Sequence, residues 1–378
     1  MKTHFVSTVI FVALSVFLFV QTGSGQQTFY IGLNVSLTKT PLLGYAMKNA
    51  SEMAIEDINN AGGVNGVPLK LLVDDNKLLP TEAVLIAKKT LPNVHATIVG
   101  TSGSCFLAVM PVAAEFRVPM FGPGMGTPAI TERGNKYVFR THFNDKIGAS
   151  VFVNYLINTL KLKRIAIANE DRDYGIGGAS SVKQALSKYD LKPITEEKFA
   201  TGMVDFTPII TRLKEFNPDA IIIWGFPNET SIFVKQGREA GIKCLMGGCN
   251  AFEGDTFNNL AGISGNDIVY ISPYFADPKD LKLESFIKRY EGKYKTTPDA
   301  YTVNSYDTVQ IIAKGLMKAG GNKERLPDAI RSIRWQGLNQ ELGFDENGDN
   351  TRPIHVVKWR DGKRVKIETV DITKLTQR

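Results

Sequence analysis

The feature that most constrains the fold is a repeated alternation of short strand-like and longer helix-like segments. Apolar, β-rich runs at Phe29–Val35, 69–73 and Ala96–Val99 are each followed by a segment with helical spacing. The run Ala220–Trp224 is apolar at every position, as expected for a strand buried on both faces of a sheet. Repeated strand–helix units predict parallel sheets covered by helices, so the predicted fold class is α/β.

This alternation divides into two successive halves, roughly residues 28–141 and 164–272, followed by a tail of different character. Further strands are predicted at 118–121, 164–168 and 243–246, with helices at 44–59, 81–91 and 104–116. The tail predicts helices at 281–294, 300–319 and 324–333 and strands at 354–359 and 365–370. No low-complexity linker separates the halves, so we expect two lobes in contact.

The first 25 residues differ in composition from the rest of the chain. Lys2 and His4 precede an uncharged run over residues 5–20, and small residues follow at 23–25. This pattern predicts a secretory signal peptide over residues 1–25, cleaved before Gln26. An uncleaved membrane anchor is the alternative, although the apolar run is short for a membrane span.

Charge and cysteine content argue against two classes of protein. The net charge is +7, but the basic residues are scattered, without an arginine-rich helix, so we expect no nucleic-acid partner. The three cysteines, Cys105, Cys244 and Cys249, are too few for a disulfide scaffold. Cys244 and Cys249 could pair in an oxidising compartment, or both could be buried free thiols.

Motifs for catalysis and metal binding are absent from the sequence. His95, His142 and His355 are widely spaced, and neither H-E-x-x-H, paired cysteines nor G-x-S-x-G occurs. The stretch YGIGGASS at 174–181 resembles a dinucleotide loop but lacks its third glycine and starts several residues after its strand. We therefore expect no enzyme activity, no cofactor and no metal site.

The stretch VGTSGSCF, residues 99–106, predicts a strand end, a turn and a helix start. Such a junction presents free backbone N–H groups and the positive end of a helix dipole to an anion. The hydroxyls of Ser102 and Ser104, with the N–H groups of Ser104 and Cys105, could therefore hold a ligand carboxylate. The alternative is that Ser104 only caps the helix.

A set of motifs in a fixed order extends over nearly the whole chain after residue 25. They are EDINNAGGVNGVPLKLLVDDN (56–76), PVAAEFRVPMFGPG (111–124), YVFRTHFND (137–145), DYGIGGASSV (173–182), DFTPIITRLKEFNPDAIII (205–223), AYTVNSYDTVQ (300–310) and GFDENGD (343–349). Together they resemble the type I periplasmic solute-binding proteins of ABC transporters, close to the leucine/isoleucine/valine-binding branch.

The resemblance implies a two-lobed clamshell in which each lobe is a mainly parallel sheet flanked by helices. Lobe 1 would comprise residues 26–143 and 275–349, and lobe 2 would comprise 144–274 and 350–378. Three interlobe crossings would fall near residues 142–145, 272–275 and 347–352. The ligand would lie between the lobes at the carboxyl ends of the strands, where open α/β sheets bind ligands.

The implied protein is a periplasmic monomer that closes on a small carboxylate-bearing solute and delivers it to the membrane subunits of an ABC permease. A branched-chain amino acid, or a 2-oxo, aromatic or amide relative, would be the solute. The alternative is a periplasmic sensor that reports its ligand to a membrane kinase or a chemoreceptor, because no motif identifies the output surface.

The resemblance also assigns residues to the ligand site. It places a serine of the 99–106 junction on the ligand carboxylate, which favours binding over capping. Tyr174 and Phe226, each after a predicted strand end, match aromatic pocket walls, with core packing as the alternative. Leu43, in the first strand–helix loop, matches a position that is often aromatic, so it would leave more room.

Two departures from the family pattern concern the ligand's polar groups. Gly126, with Thr127 beside it, stands where the family has a hydroxyl residue for the carboxylate. Asn250 stands where the family has the carboxylate that binds the ligand ammonium, and Glu253 could replace it only if the loop shifts register. Because an unpaired buried ammonium is costly, we expect a ligand without a charged α-ammonium group.

Overall fold

The structure is a computed structural model and describes residues 27–132, 134–338 and 340–374. The predicted signal peptide lies outside the described residues. The strands are β1 (Phe29–Val35), β2 (Leu69–Asp75), β3 (Ala96–Val99), β4 (Met120–Gly122), β5 (Val138–Arg140), β6 (Ile165–Glu170), β7 (Thr195–Phe199), β8 (Ala220–Trp224), β9 (Leu245–Gly248), β10 (Val269–Ser272), β11 (Trp335–Gln336), β12 (Glu341–Leu342), β13 (Ile354–Arg360) and β14 (Lys363–Val370). The helices are α1 (Pro41–Asn60), α2 (Pro80–Thr90), α3 (Gly103–Glu115), α4 (Asp145–Asn154), α5 (Asp173–Ser187), α6 (Thr207–Glu215), α7 (Pro227–Glu239), α8 (Gly254–Ala261), α9 (Leu281–Tyr294), α10 (Ala300–Ala319) and α11 (Leu326–Arg331).

The strands form two large sheets, one in each lobe. The first has the order β2-β1-β3-β4-β5, and every pair in it is parallel. The second has the order β14-β13-β10-β9-β8-β6-β7; it is parallel from β10 to β7, and β13 is antiparallel to both β10 and β14. The predicted α/β class with mainly parallel sheets is confirmed.

Alternate residues of the strands enter different hydrophobic clusters, which shows that helices cover both faces of each sheet. In β8, Ile222 and Trp224 belong to one cluster, whereas Ile221 and Ile223 belong to another. All four side chains are fully buried. This two-sided burial explains why the segment is apolar at every position.

The chain passes from the first sheet to the second after β5. After β10 it returns to α9 and α10, and α10 packs on α1 of the first lobe. It rejoins the second sheet at β13. The residue bounds predicted for the lobes and the number of crossings stay predictions. Among the described helices, none combines the length and apolar character that a membrane span requires.

Candidate ligand-binding cleft

The 99–106 junction begins α3, and Ser102 rather than Ser104 is its N-cap. The Ser102 Oγ accepts a hydrogen bond from the Cys105 N–H at 3.3 Å. It also lies 2.8 Å from the Ser104 Oγ. The cap therefore occupies the Cys105 N–H, which the sequence had assigned to the ligand. The backbone N–H and the hydroxyl of Ser104 remain as the groups that could bind a ligand at the helix start.

A third hydroxyl, from Thr127, lies against the first turn of α3. A Cβ atom added at Gly103 would be 2.6 Å from the Thr127 Oγ1, so only glycine leaves room for this approach. Before the helix, Thr101 has φ of 71° and its hydroxyl oxygen accepts from the Ser36 N–H at 3.0 Å. The junction is thus held in place from β1, and its hydroxyls gather at one helix N-terminus.

The structure reveals a buried carboxylate, Asp145, that the sequence analysis missed. It opens α4, and its backbone N–H donates to the Gly126 carbonyl at 2.8 Å. A Cβ added at Gly126 would lie 2.1 Å from the Asp145 Oδ1, so the carboxylate fills the space of the missing side chain. Burial raises the pKa of Asp145 to about 7, although Arg140 opposes the rise.

Arg140, at the end of β5, holds the loop that carries Gly126 and Thr127. Its Nη1 group donates to the carbonyl oxygens of these two residues at 2.7 and 2.8 Å and to that of Met125 at 3.2 Å. Its Nε group donates to the Asp349 Oδ1 at 2.6 Å, with both side chains buried. This network ties the site loop to the GFDENGD motif far along the chain.

The second lobe contributes two aromatic rings to the cleft. Tyr174 follows β6 and Phe226 follows β8, and their ring centroids are 5.3 Å apart. Burial raises the pKa of Tyr174, and the nearby Cys249 and Asp145 groups raise it further. Tyr301, from α10, acts in the same direction. The two predicted aromatics therefore contact each other, and Tyr174 lies close to the carboxylate.

Asn250 is buried at 3% exposure in the short helical turn after β9. Within the described part of the chain its Nδ2 donor has no hydrogen-bond partner. Burial raises the pKa of the Tyr301 hydroxyl, whereas the Asn250 side chain lowers it. The two side chains therefore lie next to each other. An unpaired buried donor of this kind is costly unless another group supplies an acceptor.

Glu253 is also buried, but its oxygens already have partners in the protein. Its Oε1 accepts from the Ala300 N–H at 3.0 Å, and its Oε2 lies 2.5 Å from the Ser272 Oγ. The Arg364 Nη1 is 3.6 Å from Oε1. Burial raises the pKa of Glu253 to about 7. Because α10 packs on α1 of the first lobe, the bond from the Ala300 N–H connects this side chain across the two lobes.

A cavity of about 360 Å³ opens between the lobes beside α1. Leu43 and Asn250 line it together with Tyr301, Glu253 and the first turn of α10. The other residues predicted for the ligand site are not among the described residues that line this cavity. The structure therefore places these residues in three neighbouring groups: the hydroxyls at α3, the Tyr174–Phe226 pair, and this cavity.

The cysteines are free thiols in the structure. Cys105 is fully buried, and its side chain packs in the hydrophobic core of the first lobe. Cys249 is buried, and its Sγ lies 3.6 Å from the Gly225 carbonyl oxygen. Cys244 is partly exposed. The sequence left open whether Cys244 and Cys249 form a disulfide or remain free thiols, and in the structure both are free.

Residues 30–364 match the sequence model of a family described as periplasmic binding protein. The chain belongs to this family. Among relatives of this periplasmic binding protein, a leucine-, isoleucine-, valine-, threonine- and alanine-binding protein of Pseudomonas aeruginosa is 28% identical over 367 residues. The match covers 95% of this chain and 97% of the relative. A Leu/Ile/Val-binding protein homolog of Brucella abortus is 27% identical over 90% of this chain and 92% of its own. The family resemblance predicted from the motifs is confirmed.

Solved structures support the same assignment. The branched-chain amino acid transporter substrate-binding protein LivJ of Streptococcus pneumoniae, in complex with isoleucine, matches this periplasmic binding protein with a TM-score of 0.83. The two are 25% identical, and the match covers 91% of this chain and 99% of that chain. A solute-binding protein of Rhodopseudomonas palustris in complex with benzoate has a TM-score of 0.82 at 19% identity, over 91% of this chain and 96% of that one, which is a likeness of fold. The two-lobed type I architecture is thereby confirmed.

Proposed function

We propose that this protein is the periplasmic solute-binding component of an ABC importer, and that it binds a small carboxylate-bearing solute between its lobes. The observation that carries the proposal is the convergence of hydroxyls at the N-terminus of α3. Ser104 and Thr127 supply hydroxyls there, and the helix end supplies partial positive charge. Such a set of groups suits a carboxylate and has no evident structural use beyond the single cap at Ser102.

Binding without catalysis fits the rest of the cleft. Burial raises the pKa values of the Tyr174 hydroxyl and the Cys249 thiol, so both stay protonated at neutral pH and neither is an activated nucleophile. The relatives are named for binding amino acids, and LivJ is named for branched-chain amino acid transport. A periplasmic location and a permease partner follow from these names and belong to the same proposal.

The first test is a ligand screen on the purified protein. We expect at least one α-amino acid, 2-oxo acid, amide or aromatic acid to raise the melting temperature, because a solute that binds only the folded state stabilises it by mass action. At a hundredfold excess over Kd the stabilisation would be about 2.7 kcal/mol. Absence of any shift across these four classes, with calorimetry also silent, would refute the proposed function.

The two serines at α3 give a matched pair of variants. We expect Ser104→Ala to weaken binding of the hit from this screen about tenfold or more, since a hydrogen bond to a charged group contributes about 1.5–3 kcal/mol. Ser102→Ala should instead lower the free energy of unfolding by about 1 kcal/mol through loss of the cap. Calorimetry and urea unfolding of both variants separate the two roles. Full affinity in Ser104→Ala would return this serine to a structural role.

A further inference from the structure

Positive charge that is scattered along the sequence comes together at one end of the second sheet. Parallel strands begin at the same end, so the segments before β6, β7, β8, β9 and β10 lie there. The β13–β14 hairpin turns at this end too, because Val269, at the start of β10, pairs with Lys358. We call these segments the basic end: residues 160–164, 188–194, 214–219, 239–244, 262–268 and 358–363. They contain ten lysines and arginines and six acids, and nine of the ten cations are exposed.

The opposite end of the same sheet has the opposite charge. The segments after β6, β7, β8 and β9 contain five acids and one arginine; they are residues 171–173, 200–206, 225–229 and 249–253. This end faces the cleft, because Tyr174, Phe226 and Asn250 lie on or directly after these segments. The lobe is therefore polarised along its strands, and its positive end points away from the ligand site.

Most cations of the basic end are not neutralised by acids of the protein. In the part of the chain that the structure describes, Lys358 and Asp267, at 2.6 Å, form the only ion pair among these segments. Asp219 instead accepts from the backbone N–H groups of residues 163 and 164, at 3.0 and 2.8 Å. The exposed positive charge is therefore available to an external anion.

The composition and width of the basic end suit a broad anionic surface. Eight of its ten cations are lysines, which act as point charges and lack the planar fork with which arginine binds a single phosphate. Seven strands spaced about 4.8 Å apart extend the cations over about 30 Å, from Lys192 before β7 to Lys363 in β14. Phe216 is 42% exposed among them, and its carbonyl oxygen accepts from the Arg164 Nη2 at 2.5 Å. A lipid headgroup layer attracts spread cations and accommodates an apolar ring.

We propose that the basic end of the second lobe binds the anionic headgroups of a phospholipid bilayer. The periplasmic location rests on the function proposed above, which also places the protein beside the membrane of its importer. The attraction is electrostatic and reversible, and it requires no pocket. Because the basic end and the cleft lie at opposite ends of the strands, a molecule held at the bilayer in this way keeps its cleft accessible to solute.

The test is flotation of the chain from Gln26 onward, the predicted mature form, with vesicles of equal parts phosphatidylcholine and phosphatidylglycerol. At low salt we expect the wild type to float with these vesicles but not with phosphatidylcholine alone. It should be released in about 1 M NaCl, where the Debye length falls to about 3 Å. A variant that combines Lys163→Glu, Lys192→Glu and Lys243→Glu should bind at least about tenfold more weakly, because each basic residue near an anionic surface adds to the attraction.

A matched control combines Lys70→Glu, Lys89→Glu and Lys279→Glu, which change the net charge equally at exposed lysines outside the basic end. Its binding should stay within about threefold of the wild type at 0.1 M salt, since exposed charges more than about 10 Å from a surface are largely screened. Equal losses in both variants would mean that net charge alone is responsible and would overturn the inference. Flotation that does not depend on phosphatidylglycerol, or no flotation, would overturn it as well.

A fluorescent reporter locates the contact without charge reversal, so it also serves if the lysine variant does not fold. Phe216→Trp should be quenched by vesicles of brominated phosphatidylglycerol beyond the level of the wild type. Leu85→Trp, at a side chain that is 64% exposed on α2 of the first lobe, should not be. Quenching of Leu85→Trp alone would assign the contact to another surface and overturn the inference.

Duplex DNA provides the competing partner. If DNA bound the wild type more tightly than the vesicles at the same salt, and the lysine variant lost this binding, the basic end would be a nucleic-acid surface and the inference would fall. None of these measurements requires a solute. The ligand screen therefore tests the proposed function separately, and either proposal can fail while the other stands.

Discussion

Replacement of Arg140 with methionine is expected to lower the free energy of unfolding by about 3–5 kcal/mol, the range for breaking a buried ion pair by removing one partner. Arg140 is fully buried, and the variant would leave Asp349 as an uncompensated charge. The carbonyl oxygens of residues 125–127 would lose their donor as well. Because these residues carry the proposed ligand loop, affinity for any ligand should fall together with stability.

Urea unfolding followed by circular dichroism measures this effect. The matched control is Arg117→Met, because Arg117 pairs with Glu324 at 3.2 Å on the exposed surface. Exposed ion pairs contribute about 0–1 kcal/mol, so the control should stay close to the wild type. An Arg140→Met protein within about 1 kcal/mol of the wild type would show that the network around Asp349 does not stabilise the fold.

Substitution of Glu253 by glutamine is expected to stabilise the protein at high pH. Burial raises the pKa of this carboxyl from 4.5 to about 7, so the folded state keeps its proton where the unfolded chain has lost it. Stability from Glu253 is therefore complete at low pH and is lost as the pH rises from about 4.5 to about 7. At about 1.4 kcal/mol for each pKa unit, the loss approaches about 3 kcal/mol.

The hydrogen bonds around Glu253 support its neutral form. Ser272 has one hydroxyl proton, yet its Oγ lies 2.5 Å from the Glu253 Oε2 and 2.8 Å from the Tyr274 carbonyl oxygen. A protonated Glu253 donates to Ser272, which then donates to Tyr274, and both bonds form. Glutamine has the same donor and can still accept from the Ala300 N–H, so it imitates this form.

Unfolding measured at pH 5 and pH 8 decides the matter. We expect Glu253→Gln to exceed the stability of the wild type by less than about 1 kcal/mol at pH 5 and by up to about 3 kcal/mol at pH 8. Glu253→Ala, which loses the bonds to Ser272 and Ala300, should be less stable at both pH values. A glutamine variant that is less stable than the wild type at pH 8 would mean that Glu253 is ionised and paired with Arg364 in the folded protein.

The sequence predicted those elements whose signals are local. The strand Ala220–Trp224 and the helices Leu281–Tyr294 and Ala300–Ala319 lie where predicted, since each has a clear period and boundary residues. Helix α1 begins at Pro41 rather than at residue 44, and the proline at its first turn was an available signal. Strand β7, TEEKF, was missed because its charged alternating pattern differs little from a loop.

The site was predictable only in part, because several of its groups meet through long-range contacts. The Ser102–Ser104 junction is recognisable from a strand end, glycine and serines in a row. Asp145 looks like an ordinary first-turn acid of α4, and its burial depends on the absence of a side chain at Gly126. Glu253 is satisfied by Ser272 and Ala300, which no local pattern connects to it.

The most direct test of the central claim is a crystal structure of the protein with the tightest-binding solute from the screen. We expect the solute to lie between the lobes, with its carboxylate within hydrogen-bond distance of the Ser104 hydroxyl or the Thr127 hydroxyl at the start of α3. Tyr174 and Phe226 should contact its apolar part. A solute bound outside the cleft, or one whose carboxylate points away from α3, would contradict the proposed carboxylate site.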